Sequence, residues 1–109
     1  MKFIDFRKTA ASLSECSDFE YFVELNKEKE CWNEYCDDKV DSILHSIWQL
    51  KDRPIHGLRS ESGISARGIA IAYGIPIRTI EGWSAGNRVC PEYVWMLLAY
   101  AVFCDSGII

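Results

Sequence analysis

Residues Ser65-Ala66-Arg67-Gly68-Ile69-Ala70-Ile71-Ala72-Tyr73-Gly74-Ile75-Pro76-Ile77-Arg78-Thr79-Ile80-Glu81-Gly82-Trp83 carry two short helical patterns hinged at one glycine. Ser65 offers a side-chain oxygen that can cap a first helix by accepting a backbone N–H. Ile69 and Ala72 fall three residues apart on one face, and the small Ala70 lets a second helix approach closely. Gly74 stands where the chain must reverse, because glycine takes a left-handed backbone at no steric cost. Pro76 suits the first turn of the next helix, where its missing N–H goes unused anyway. Ile77, Ile80 and Trp83 then recur at spacing three, which predicts that Ile80 and Trp83 fill the core. The stretch reads as a helix-turn-helix. In that motif the first helix lies across the DNA backbone, and the second presents its N-terminal residues to base edges in the major groove.

Upstream, no glycine or proline interrupts residues 17–52, a length that predicts one long helix or two helices with a polar break near Asn26 to Lys29. Phe19, Phe22, Val23 and Asn26 trace one face. Trp32, Tyr35, Cys36, Val40, Ile43, Leu44, Ile47 and Trp48 trace a second, amphipathic stripe. Asp52-Arg53-Pro54 is expected to end that helix and start the next, with Asp52 as its cap and Pro54 in its first turn. The helix from Pro54 to Ser62 would be anchored by Ile55 and Leu58. Downstream, Gly86-Asn87-Arg88 reads as a loop, and Pro91 opens a last helix. Val94, Trp95, Leu97, Leu98, Ala101, Val102 and Phe103 cover most of its circumference, so it should be buried on more than one side, by the N-terminal helices or a second subunit. Phe3, Ile4 and Phe6 suggest a short strand or an anchoring arm. The expected class is all-α: a helix-turn-helix domain over residues 53–109 preceded by an acidic helical extension over residues 1–52, used for dimerisation or partner binding.

Gly63-Ile64-Ser65, Tyr73-Gly74-Ile75-Pro76, Arg78-Thr79-Ile80, Trp83, Gly86, Pro91-Glu92-Tyr93-Val94 and Leu97-Leu98 form an ordered series. From about Leu58 to Leu98 the chain thereby resembles the XRE (lambda-repressor-like) helix-turn-helix domains of bacteria and their phages and mobile elements. The resemblance implies base-facing positions at Ile77, Arg78, Glu81 and Gly82, with phosphate contacts near Ser65, Ala66 and Arg88. With Arg67 and Thr79, the expected DNA-binding set is Ser65, Arg67, Ile77, Arg78, Thr79, Glu81 and Arg88. Arg78 suits guanine, whose O6 and N7 a guanidinium bonds together; Ile77 suits a thymine methyl, and Glu81 a cytosine amino group. Ala66 departs from the polar amide of many members, and Ser84 from their acidic residue.

Charge divides the chain. Of 12 basic and 16 acidic residues, which leave a formal charge of −4, residues 1–52 hold 7 basic and 12 acidic, or −5. Residues 53–109 hold 5 basic and 4 acidic, or +1. A dedicated DNA binder usually shows a basic face; here Arg59, Arg67, Arg78 and Arg88 could form a local patch. With so few basic groups a monomer would bind weakly at physiological salt, so a homodimer is expected. Glu30, Glu34, Asp37, Asp38 and Asp41 read as a solvated acidic surface, or as a contact for a basic, nucleic-acid-binding protein.

At 109 residues and 49% hydrophobic the chain suffices for one core. No run reaches the ~20 apolar residues of a membrane span, and the first ten residues lack a signal-peptide core, which predicts a soluble, cytoplasmic protein without membrane contact. Cys16, Cys31, Cys36, Cys90 and Cys104 are an odd set with no Cys-x-x-Cys pair, so reduced thiols are expected. Cys31 and Cys36 would fall on different helix faces, and with His45 and His56 they suggest no metal site. Trp32, Trp48, Trp83 and Trp95 read as core rather than as a ligand platform. No catalytic constellation or glycine-rich phosphate loop stands out, so neither an enzyme nor a cofactor is expected. Two functions fit: a homodimeric transcriptional regulator on double-stranded DNA, or an acidic protein-binding inhibitor of host defence on a helix-turn-helix scaffold. Some phage-borne anti-CRISPR proteins are similar to the second at class level.

Overall fold

Phe3, Phe6 and Ala10 keep helical spacing, and in the computed structural model, which describes residues 1–109, they lie on α1 (Phe3–Ala11) rather than on a strand or arm. A 3-10 turn (Ser12–Glu15) follows, then α2 (Phe19–Asn26), a second 3-10 turn (Glu30–Trp32), α3 (Asp37–Trp48), α4 (Pro54–Ser62), α5 (Ala66–Tyr73), α6 (Ile77–Ala85) and α7 (Glu92–Asp105). The chain is all-α, with seven α-helices and no strand. No helix is long and apolar enough to cross a membrane, and all five cysteines are free.

The break between α2 and α3 is wider than the residue pattern suggested, and Asn26 explains why. Its side chain is fully buried. Its Nδ2 donates to Ser12 Oγ at 3.0 Å and to the Phe22 carbonyl at 2.9 Å, while its Oδ1 accepts from Lys29 Nζ at 2.9 Å. Trp32 Nε1 donates to the Asn26 backbone carbonyl at 2.8 Å. A buried amide without these partners would cost about 1–3 kcal/mol, so this local network outweighs helix continuation. Trp32, Tyr35 and Cys36 therefore precede α3 instead of extending it.

α7 packs on α4 and α1, α2 pairs with α3, α5 pairs with α6, and α3 also touches α1 and α4. One cluster of 20 buried residues runs from Phe6 to Phe103 and takes side chains from both the acidic and the arginine-bearing part. The Cα radius of gyration, 13.7 Å, is close to the ~13 Å of one compact domain of this length. Phe6 meets Phe103 edge-on at 6.2 Å and Tyr100 at 5.4 Å, so α1 covers one side of α7. Tyr93 and Leu97, nearer its N-terminus, remain exposed.

Three local expectations need correction. Asp52 is not a cap: it takes a left-handed backbone (φ 68°), and Arg53 occupies the cap of α4 with no side-chain bond. Pro76 stands at the cap of α6, one residue before its first turn. Ala72 is exposed and Trp83 only half-buried, whereas Ile69 and Ile80 are wholly enclosed. Two isoleucines thus anchor the α5–α6 pair in the core, each contributing about 1.5–3 kcal/mol by burial, with Ala70, Tyr73 and Trp83 packed partly buried beside them.

Candidate nucleic-acid interface

Ser65 caps α5 as its position suggested: Oγ accepts the Gly68 N–H at 2.9 Å. The cap uses only a lone pair, so the hydroxyl hydrogen stays available to an outside acceptor. At the other end of α5, Gly74 has φ 69° and donates its N–H to the Ala70 carbonyl at 3.1 Å. Three residues, Gly74-Ile75-Pro76, then carry the chain into α6, where the Thr79 and Ile80 N–H groups bond the Pro76 carbonyl at 3.0 and 3.3 Å. The turn is tight because only Ile75 separates a left-handed residue from a proline cap.

Ile80 faces inward, and the opposite side of α6 is open. Ile77 is 36% exposed, and Arg78 and Glu81 are exposed. Thr79 is half-buried, so of the expected DNA-binding set it presents least to solvent. Arg67 is exposed in the first turn of α5. Gly82 has a role that the sequence did not reveal. A Cβ there would stand 3.2 Å from Arg88 Cδ and 3.3 Å from Cγ. The Asn87 and Arg88 N–H groups both donate to the Gly82 carbonyl, at 3.0 and 3.1 Å. Glycine at 82 therefore lets the Arg88 stem lie along α6, bringing that guanidinium to the same helix as Arg78. Arg59 serves differently, its Nε donating at 3.4 Å to the Ile64 carbonyl and tying the approach to α5.

Ion pairing is confined to the N-terminal part. The amino group of Met1 meets Glu34 Oε1 at 3.3 Å, and Lys27 Nζ meets Asp41 Oδ1 at 3.0 Å. That contact, through its hydrogen bond first and its charge second, raises the Lys27 pKa above its ordinary value. None of the five arginines in residues 53–109 has a carboxylate partner. Arg67, Arg78 and Arg88 thus face water with uncompensated charge. Glu30, Glu34, Asp37, Asp38 and Asp41 are all exposed, as a surface role requires. Asp37 and Asp38 also lie in the first turn of α3, where negative charge favours the helix.

Tyr73, the last residue of α5, donates its hydroxyl to Asp105 Oδ2 at 2.7 Å and so links this pair of helices to the end of α7. Burial, then the bond to Asp105, pushes its pKa to about 12. Burial likewise pushes the Cys90 thiol to about 11, which leaves it protonated and a poor nucleophile. No group of three His, Cys, Asp or Glu side chains is placed to hold a metal ion. No protein-family model, curated protein or solved structure matches the chain.

Proposed function

We propose that this chain is a sequence-specific DNA-binding transcriptional regulator of bacterial or phage type. It acts as a homodimer that sets two copies of α6 in successive major grooves of a palindrome, with half-sites ~34 Å apart. The observation that carries this reading is the α5–α6 unit. Its N-terminal α6 turn is open, with Ile77, Arg78 and Glu81 on the outside and Ile80 fully enclosed behind them. In this reading Arg78 specifies a guanine, while Ser65, Arg67 and Arg88 position the helix on phosphates. Two phosphates neutralised per protomer, by Arg67 and Arg88, imply a log–log salt slope of about −1.8, or about 12-fold weaker binding between 50 and 200 mM salt; a dimer doubles the slope.

Selection from a random-sequence duplex library tests the reading. An enriched palindrome that binds with a slope of about −3.6 and is lost with Arg78→Ala is expected. Absence of any enriched site would refute it. A second reading, an acidic inhibitor of a host-defence protein, has one observation in its favour: Glu30, Asp37 and Asp38 are exposed and make no ion pair. Charge reversal at those three residues would then abolish activity while Arg78→Ala left it intact.

A further inference from the structure

A cleft of about 420 Å³ opens between the start of α4 and the loop after α6. Small-molecule sites typically fall in the range of about 300–1,000 Å³ and combine apolar walls with a few polar groups. Trp83 and Trp95, both half-buried, supply indole surface here. Arg53, His56 and Arg88 also line the cleft, against one acid, Asp52. Neither guanidinium has a carboxylate partner.

Two further features of the walls favour an anion. Arg53, at the cap position of α4, makes no side-chain bond to it, and the Ile55 and His56 N–H groups find no acceptor in the chain, so the positive end of that helix keeps two free donors. The Ser84 hydroxyl, which lines the same cleft, is buried without any hydrogen-bond partner, and it is the one side-chain group in the molecule in that condition. Such orphans are rare because a buried donor without a partner is destabilising.

We propose that the cleft binds a small planar aromatic anion, of the aryl carboxylate or aryl phosphate class. The guanidinium groups of Arg53 and Arg88 take the anionic group, Ser84 donates to it, and the ring stacks against Trp83 and Trp95. A bare phosphate would leave the indole surface unused. The inference stands on the free protein and does not depend on DNA binding, although Arg88 would be claimed by both ligands.

Titration with 2-naphthoate, followed by the indole N–H signals of uniformly 15N-labelled protein, tests it, with 2-naphthol as the neutral ring and acetate as the ringless anion. Saturable shifts at Trp83 and Trp95 with 2-naphthoate are expected. Either control alone should bind at least 10-fold more weakly. Arg53→Ala should weaken 2-naphthoate at least 5-fold, while Arg7→Ala, on α1, leaves it unchanged. Ser84→Ala should weaken it 3-fold or more yet raise the melting temperature, which separates lost binding from lost folding. No saturable shift, equal affinity for 2-naphthol or acetate, or an Arg53→Ala protein that binds as well as the original would overturn the assignment.

Discussion

Gly57 lies inside α4, and its replacement by alanine separates packing from helix propensity more cleanly than any other change in this chain. A Cβ at this position would stand 2.0 Å from the Gln49 carbonyl oxygen, 2.6 Å from its carbon and 3.1 Å from Leu50 Cα. All three are backbone atoms of the two residues that follow α3. Carbon contacts settle near ~3.5 Å, so α4 and the α3 terminus would have to part by on the order of 1.5 Å. That movement loosens Leu50, Ile55 and Leu58, each at most 3% exposed. Overpacking against a yielding side chain costs about 1–3 kcal/mol, and rigid backbone on both sides puts this case at or above the upper end. Alanine's better helix propensity returns about 1 kcal/mol. The net loss is about 2–3 kcal/mol. For 109 residues, an unfolding entropy of about 2.1 cal/mol/K per residue converts this to a fall in Tm of about 10 °C.

Thermal and urea unfolding followed by circular dichroism would measure it, with Gly68→Ala as the comparison. There the new Cβ would meet Ile64 Cγ1 at 2.9 Å and Ser65 Oγ at 3.2 Å, both side-chain atoms that can shift. Gly68→Ala is expected to stay within about 1 kcal/mol of the original, since the propensity gain and the side-chain shift roughly offset. A Gly57→Ala protein as stable as the original, or an equal loss in both variants, would refute the close-approach argument.

Ser65→Ala removes the cap of α5 and should cost about 1 kcal/mol, read as a shift in urea midpoint at constant m; no shift would mean that water replaces the cap fully. Alkaline unfolding carries a sign fixed by Tyr73, whose folded pKa of about 12 lies above the ~10 of an unfolded tyrosine. The unfolded state then releases its proton first, so the contribution is fully present below pH 10 and is lost between pH 10 and about 12. Cys90 acts in the same direction from about pH 9 to 11. Stability measured from pH 9 to 12 should therefore fall, and Tyr73→Phe should flatten the upper part of that fall; an unchanged profile would remove Tyr73 as its source.

What was legible in the sequence is what depends on neighbours a few residues away. Ser65, Gly74, Ile69 and Ile80 could be assigned from spacing because cap, reversal and inward face are set within one or two helical turns. The helix at residues 3–11 was not, since Phe3, Ile4 and Phe6 fit an alternating pattern as well as a helical one. Burial by α7, which selects Phe6 and Ala10 against Ile4, comes from more than 80 residues away. Asn26 was placed correctly on an inward face, but its hydrogen bonds to Ser12 and from Trp32 join three segments that no local window contains.

The same distinction governs the interface. Arg78 could be placed at the second position of α6, on its open face, because a helix start is a local property. Arg88 was expected from resemblance alone, and its setting depends on an absence: a glycine six residues earlier leaves room for its stem. A missing side chain gives no signal until the loop has folded back over it. Gly57 and Gly82 are alike in this respect, each marking a place where another part of the chain comes close. At Gly57 that part is α3, so the orientation of α4, and of α6 and α7 that rest on it, is set by contact with the acidic part of the chain. The N-terminal half therefore bears on the α5–α6 surface through packing, whatever its own charges contact.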